Sequence, residues 1–174
     1  TDVGPVIDNE AREILLRHVE RMEAGAKIIK QIDVGDKFDS GFFFGPTLVE
    51  LPSLDLLERE VFGPILHVVR YKRKEMTAIA AELADKGYGL TLGIHSRLSS
   101  FHRQIQSLVP AGNIYVNRNM VGAVVGVQPF GGEGLSGTGP KAGGPHYLHR
   151  FAGERTVTIN IAAQGGDPEL LNLD

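Results

Sequence analysis

Apolar residues recur at helical spacing in three stretches of the chain. Ala11, Leu15, Val19 and Met22 share one face of a helix predicted to start near Asn9. Asp8 stands at its N-cap position, Glu10 in its first turn and Gly25 where a C-cap glycine belongs. Met76, Ile79, Ala80 and Leu83 predict a second helix over 74–86, ended by Gly87. Phe101, Ile105, Leu108 and Val109 predict a third, capped by Ser96 or Ser99 and stopped by Pro110. Between the helices, apolar and β-branched runs predict strands over 26–32, 65–69, 90–95 and 113–117, with interrupted extended structure around 42–49. This alternation predicts an α/β fold with a largely parallel sheet.

The pattern breaks after Arg118. Nine of the 23 residues from Gly122 to Gly144 are glycine, interleaved with Val, Pro and Phe. A flexible linker favours Ser, Glu and Lys instead. The segment therefore reads as a fixed loop whose backbone approaches something closely. A short helix over 145–151, an alternating strand over 155–161 and a loose tail from Ala162 complete the prediction.

Composition narrows the function classes. A chain of 174 residues suits one domain or slightly more and is long enough to bury a core. It contains no cysteine, which excludes disulfides, thiolate metal sites and a cysteine nucleophile within these residues and suits a reducing compartment. A net charge of −3 gives no basic excess for nucleic acid. No apolar run approaches the roughly 20 residues of a membrane helix, and the first residues lack the pattern of a signal peptide.

Three motif matches carry little chemistry. Gly132-Glu133-Gly134-Leu135-Ser136-Gly137 matches G-x-G-x-x-G, but Pro129 precedes it and further glycines with Pro140 follow, in place of a strand and a helix. Gly134-Leu135-Ser136-Gly137-Thr138 lacks the last glycine of a nucleophile elbow, so Ser136 reads as a loop hydrogen-bonding group. The six histidines are scattered apart from His146 and His149, and a metal site is not expected. Glu58 and Glu60 flank Arg59 before Val61-Phe62-Gly63-Pro64. By themselves they read as a solvated turn, although a carboxylate beside an exposed aromatic suits a sugar hydroxyl and a ring face.

Taken in order, five segments resemble the C-terminal part of an aldehyde dehydrogenase. They are Asp2-Val3-Gly4-Pro5-Val6-Ile7; Glu60-Val61-Phe62-Gly63-Pro64, which resembles E-x-F-G-P; Tyr88-Gly89-Leu90; Gly112-Asn113-Ile114-Tyr115-Val116-Asn117; and Pro129-Phe130-Gly131-Gly132 with Ser136-Gly137. Gly122-Ala123 and the stretch from Gly143 to Phe151 narrow the resemblance to the Δ1-pyrroline-5-carboxylate (L-glutamate γ-semialdehyde) dehydrogenases. Glu154 to Asn160 and Gly165-Gly166 resemble their fused bacterial form, the proline utilization A family, which also carries a flavin-dependent proline dehydrogenase domain.

The resemblance implies a partial catalytic domain over 1–152 and an oligomerisation strand with a tail over 153–174. It implies NAD as cofactor, with FAD only in a fused proline dehydrogenase domain. Glu60 would hydrogen-bond the nicotinamide ribose and Phe62 would pack beside it. Backbone N–H groups of Gly122 and Ala123 would hold the α-carboxylate of glutamate γ-semialdehyde, and Phe130 would line its aliphatic chain. The implied reaction is oxidation of that semialdehyde to glutamate in proline catabolism, by a cysteine thiolate with hydride passing to NAD⁺ and water releasing the acyl group. The family nucleophile lies upstream of the Asp2-Val3-Gly4-Pro5 segment, so the chain is expected to be a fragment, inactive alone and without a catalytic residue of its own. A cytoplasmic location, a homo-oligomer built through 155–161, no metal, no nucleic acid and no membrane insertion complete the expectation. The alternatives are a non-catalytic assembly module and part of an aldehyde dehydrogenase with another substrate.

Overall fold

The computed structural model describes residues 3–35 and 40–160. Helix α1 spans Asn9–Glu23, and the Asp8 carboxylate accepts the Ala11 N–H at 2.8 Å, satisfying one donor at the helix start. Its buried face is Leu15, His18, Val19 and Met22; of the predicted apolar stripe Ala11 is only half-buried, and a histidine is set among the rest. Gly25 does not act as a left-handed C-cap. Ala24 ends the helix, the N–H groups of Gly25 and Ala26 both reach the Met22 carbonyl, and Gly25 has no positive φ.

Strands β1 (Lys27–Gln31), β2 (Thr47–Leu51) and β3 (Ile65–Val69) form one sheet in that order. β1 runs antiparallel to β2, and β2 runs parallel to β3 with Thr47 opposite Ile65 and Leu51 opposite Val69. The residues around 42–44 are not a strand; extended pairing begins only at Thr47. Helix α1 lies on this sheet through two buried clusters, Leu15 with Val19 and Phe44, and Met22 with Val49 and Leu51.

Helix α2 (Met76–Asp85) follows a 3-10 turn at Arg73–Glu75, and Gly87 closes it in the left-handed region at φ 77°. Then come β4 (Tyr88–Gly89), β5 (Thr91–Ile94), α3 (Ser99–Leu108), β6 (Asn113–Val116) and β7 (Glu133–Gly134). Neither candidate serine caps α3. Leu98 holds the N-cap position, and the Ser96 hydroxyl accepts the Leu98 N–H just ahead of the helix.

Across α3, β5 and β6 pair in parallel, whereas β4 and β7 pair antiparallel. Among the described residues, the predicted largely parallel sheet is therefore corrected to three small sheets with two parallel and two antiparallel pairings. Parallel pairing needs a crossover, which 52–64 and α3 supply. The segment 145–151 is a 3-10 helix at Tyr147–Phe151. Residues 155–160 are exposed and belong to no strand; residue 161 and the predicted tail lie outside the described residues. Among the described residues, no helix is long and apolar enough to cross a membrane.

Among the described residues, large apolar side chains lie exposed, including Ile7, Phe62, Val125 and Leu148.

Candidate functional site

Glu60 and Phe62 stand on the loop that leads into β3, seated on α1. Val61 packs against the Leu15, Val19 and Phe44 cluster. Gly63 lies so close to α1 that a Cβ there would sit 2.6 Å from both terminal methyls of Leu15. Arg21 of α1 pairs with Glu58 at 3.4 Å, and the Glu60 N–H donates to the Tyr88 hydroxyl at 3.2 Å. The loop is held by its backbone and apolar side, which turns Phe62 outward at 88% exposure. The Glu60 carboxylate is exposed and has no hydrogen-bond or ion-pair partner among the described residues. A shallow cavity of about 190 Å³ beside it is lined by Ile14, Arg17, His18, Arg21, Arg59, Glu60 and Val61.

Under that cavity two histidines meet across α1 and β3. Their Nε2 atoms are 2.8 Å apart, and Arg21 Nη2 lies 3.3 Å from His18 Nδ1. A guanidinium only donates, so His18 Nδ1 accepts and His18 carries its hydrogen on Nε2. That hydrogen is donated to His67, which keeps its own on Nδ1, so the network assigns two neutral rings. Burial, then His67 and then Arg21 push the His18 pKa down from 6.5 to about 4, and burial also lowers that of His67. The unfolded chain takes up this proton near pH 6.5 and the folded chain only near pH 4. Stability linked to His18 is therefore full above pH 6.5 and drains away as the pH falls toward 4. Proton NMR of the His18 ring should show a midpoint near 4; an ordinary midpoint near 6.5 would refute the buried neutral pair.

The second group of candidates lies on the glycine-rich segment. Asn117 ends β6 at φ 55°, and its side-chain amide continues the ladder by accepting the Ser96 N–H at 2.9 Å and donating to the Ser96 carbonyl at 3.0 Å. The chain then turns through Gly122, whose φ of 107° suits glycine alone, into a tight reversal in which Val124 and Gln128 pair. The Gly122 carbonyl accepts the Tyr115 hydroxyl at 3.3 Å and Gln128 Nε2 at 2.7 Å. Among the described residues, the Gly122 and Ala123 N–H groups have no partner.

Phe130 is held from both sides. Asn113, buried at the start of β6, donates from Nδ2 to the Pro129 carbonyl at 3.0 Å and accepts the Gly131 N–H at 3.1 Å. The Phe130 N–H and carbonyl pair with Ala142, and Lys141 Nζ donates to the carbonyls of Gly131, at 2.7 Å, and Gly112. No hydrogen bond joins Glu60 or Phe62 to Gly122, Ala123 or Phe130 among the described residues. Tyr88 links the two groups. Its hydroxyl takes the Glu60 N–H, and its strand β4 pairs with β7 inside the glycine-rich segment.

The sequence profile of the Aldehyde dehydrogenase family matches residues 1–157. The chain belongs to that family. Among the relatives of this aldehyde dehydrogenase chain is the bifunctional protein PutA of Klebsiella aerogenes, 51% identical over 98% of this chain and 14% of its own. Bradyrhizobium japonicum proline utilization A superposes with a TM-score of 0.83 at 55% identity, over 94% of this chain and 16% of its own. A Thermus 1-pyrroline-5-carboxylate dehydrogenase with bound NAD gives 0.72 at 36% identity, over 86% and 29%. The chain thus spans about a seventh of the PutA relative's length.

Within this aldehyde dehydrogenase segment, the G-x-G-x-x-G match is no dinucleotide fingerprint: β7 sits inside it, paired with β4, and no helix opens directly after it. Ser136 accepts the Gly89 N–H at 3.1 Å, a loop role rather than that of a nucleophile. Among the described residues, no three metal-binding side chains gather. Sequence reasoning missed Asn113, Tyr115, Arg118, Gln128 and Lys141. One signal was available, a polar Asn113 at the head of an apolar strand, because buried amides demand partners.

Proposed function

We propose that this chain supplies the nicotinamide-ribose and substrate-carboxylate contacts of an NAD-dependent L-glutamate γ-semialdehyde dehydrogenase acting in proline catabolism. One observation carries the reading: Gly122 and Ala123 present two N–H groups with no partner among the described residues, on a braced loop of the segment that also bears Phe130. Bare backbone donors suit a carboxylate, and an aromatic wall suits the aliphatic chain behind it. Glu60 and Phe62 fit a bound dinucleotide, because an exposed carboxylate accepts ribose hydroxyls and an open ring face covers the sugar. When bound, NAD⁺ supplies the hydride acceptor. The residues of this chain orient the aldehyde by its far end and hold the cofactor's ribose, which limits both partners to a reactive geometry. The thiolate nucleophile comes from outside these 174 residues, which contain no cysteine.

The same reading assigns residues 1–152 to the catalytic domain and 153–174 to an oligomerisation strand and tail, in a cytoplasmic protein. Val157 and Ile159 are 71% and 64% exposed, as unpaired strand residues awaiting a second copy would be. Sedimentation velocity decides this, and a strictly monomeric species would end it. FAD belongs to the reading only where the gene also encodes a proline dehydrogenase domain.

The cofactor assignment is tested with Glu60→Gln in the complete gene product that carries this chain. Exchanging the charged acceptor for a neutral amide oxygen weakens the hydrogen bond by about 1 kcal/mol and should raise the KM for NAD⁺ about fivefold. An unchanged KM and an unchanged NAD⁺ affinity by calorimetry would remove Glu60 from the site.

A further inference from the structure

We propose that Arg118, acting through Gln128 and Tyr115, is the positioning residue that sets this site's preference for carboxylate-bearing aldehydes. The inference rests on the carboxylate reading of Gly122 and Ala123 given above. Its basis is the orientation of a single peptide unit. The chain has no cis peptide bonds among the described residues, so across the Gly122–Ala123 bond the carbonyl and the N–H point in opposite directions. Tyr115 and Gln128 both donate to the Gly122 oxygen, which turns that oxygen toward β6. The Ala123 N–H must then point away from them, with no partner among the described residues.

Arg118 decides which way the Gln128 amide faces. Its guanidinium has no acceptor atoms, so the group 3.1 Å from Nη1 is Gln128 Oε1, and Nε2 is left to face the Gly122 oxygen at 2.7 Å and the Tyr115 hydroxyl at 3.1 Å. The other arms of the same fork reach the Asn119 and Val121 carbonyls, each at 3.2 Å, and the guanidinium carbon lies 4.9 Å from the centre of the Tyr115 ring. One planar cation thus holds both ends of the loop that carries Gly122. All its acceptors are neutral oxygens in a fixed fork arrangement, which the point charge of a lysine does not reproduce. If the amide of Gln128 flipped, its oxygen would meet the Gly122 oxygen, and the peptide would rotate its N–H out of line. Carboxylate binding would weaken, whereas an uncharged aldehyde, which never uses that N–H, would bind as before.

The test compares oxidation of glutamate γ-semialdehyde and of pentanal by the complete gene product. Pentanal has the same chain length and no carboxylate. Arg118→Gln should raise the KM for the semialdehyde about tenfold at nearly constant kcat, the mark of lost ground-state binding, and leave the KM for pentanal within about twofold. Arg118→Lys should behave like Arg118→Gln; full rescue by lysine would show that charge alone suffices and would overturn the proposal. Tyr115→Phe removes one donor to the Gly122 oxygen and should raise the semialdehyde KM about threefold, a readout that survives if Arg118→Gln does not fold. Equal losses for both aldehydes, or none, would make Arg118 merely structural. A wild-type protein that shows no preference for the semialdehyde defeats the carboxylate reading and this inference together. A preference that the variants leave unmoved defeats this inference alone.

Discussion

Gly112→Ala is expected to release the Phe130 segment from β6. A Cβ at this position would stand 1.9 Å from the Gly131 carbonyl oxygen and 2.8 Å from Lys141 Nζ. No side-chain rotation relieves a clash with a backbone oxygen, so the Gly131 backbone must retreat by more than 1 Å to reach contact distance. That displacement breaks a clamp of four hydrogen bonds: Lys141 to Gly131 and Gly112, and Asn113 to Pro129 and Gly131. At about 1 kcal/mol each, with one donor a charged ammonium, the loss is about 4 kcal/mol locally. Hydrogen exchange in the complete gene product reads such local opening directly. The Phe130, Gly131 and Ala142 amides should exchange at least about a hundredfold faster, while α1 is unaffected. Unchanged protection at these three amides would show that the close approach does not hold Phe130.

Leu15→Ala should have a comparable effect at the other group of candidates. Leu15 is fully buried among Val19, Phe44, Val61 and Ile65, and Gly63 rests on its methyl groups. Truncation leaves a cavity between α1 and the loop that carries Glu60 and Phe62. Such changes cost about 2–5 kcal/mol, and a site enclosed on several sides collapses poorly, which places this one near 3 kcal/mol. Exchange of the α1 amides should accelerate by about two orders of magnitude. The KM for NAD⁺ should also rise, because the loop loses its seat. A loss below about 1 kcal/mol would mean that the loop, rather than the helix, fills the space.

Both variants act on features that the sequence showed only by half. Gly112 and Gly131 belong to motifs visible in the chain, and the crowding of glycine after Arg118 pointed to close backbone approach. What does the approaching was not visible, because Gly112 and Gly131 meet through folding and not through any local period. The stripe Leu15, Val19 and Met22 was legible as a buried face, since helical spacing alone puts those residues on one side. His18 lies on the same face, and its partner His67 is 49 residues away on β3. No periodicity links the two, so the lowered pKa of His18 was invisible until the structure joined them.

The three helices, the Asp8 cap and the helix stop at Gly87 were determined by the sequence alone, because each depends on residues within a few positions of one another. The order of the motifs likewise marked the aldehyde dehydrogenase family. Only the tertiary structure decided the direction of the functional groups: the outward Phe62, the inward Gly122 carbonyl, the amide of Gln128 turned by Arg118, and the bracket of Asn113 around Phe130. These directions are set by hydrogen bonds and contacts between residues that the chain brings together only when it folds. A binding site depends on where donors and acceptors point, and that information resides in the long-range contacts.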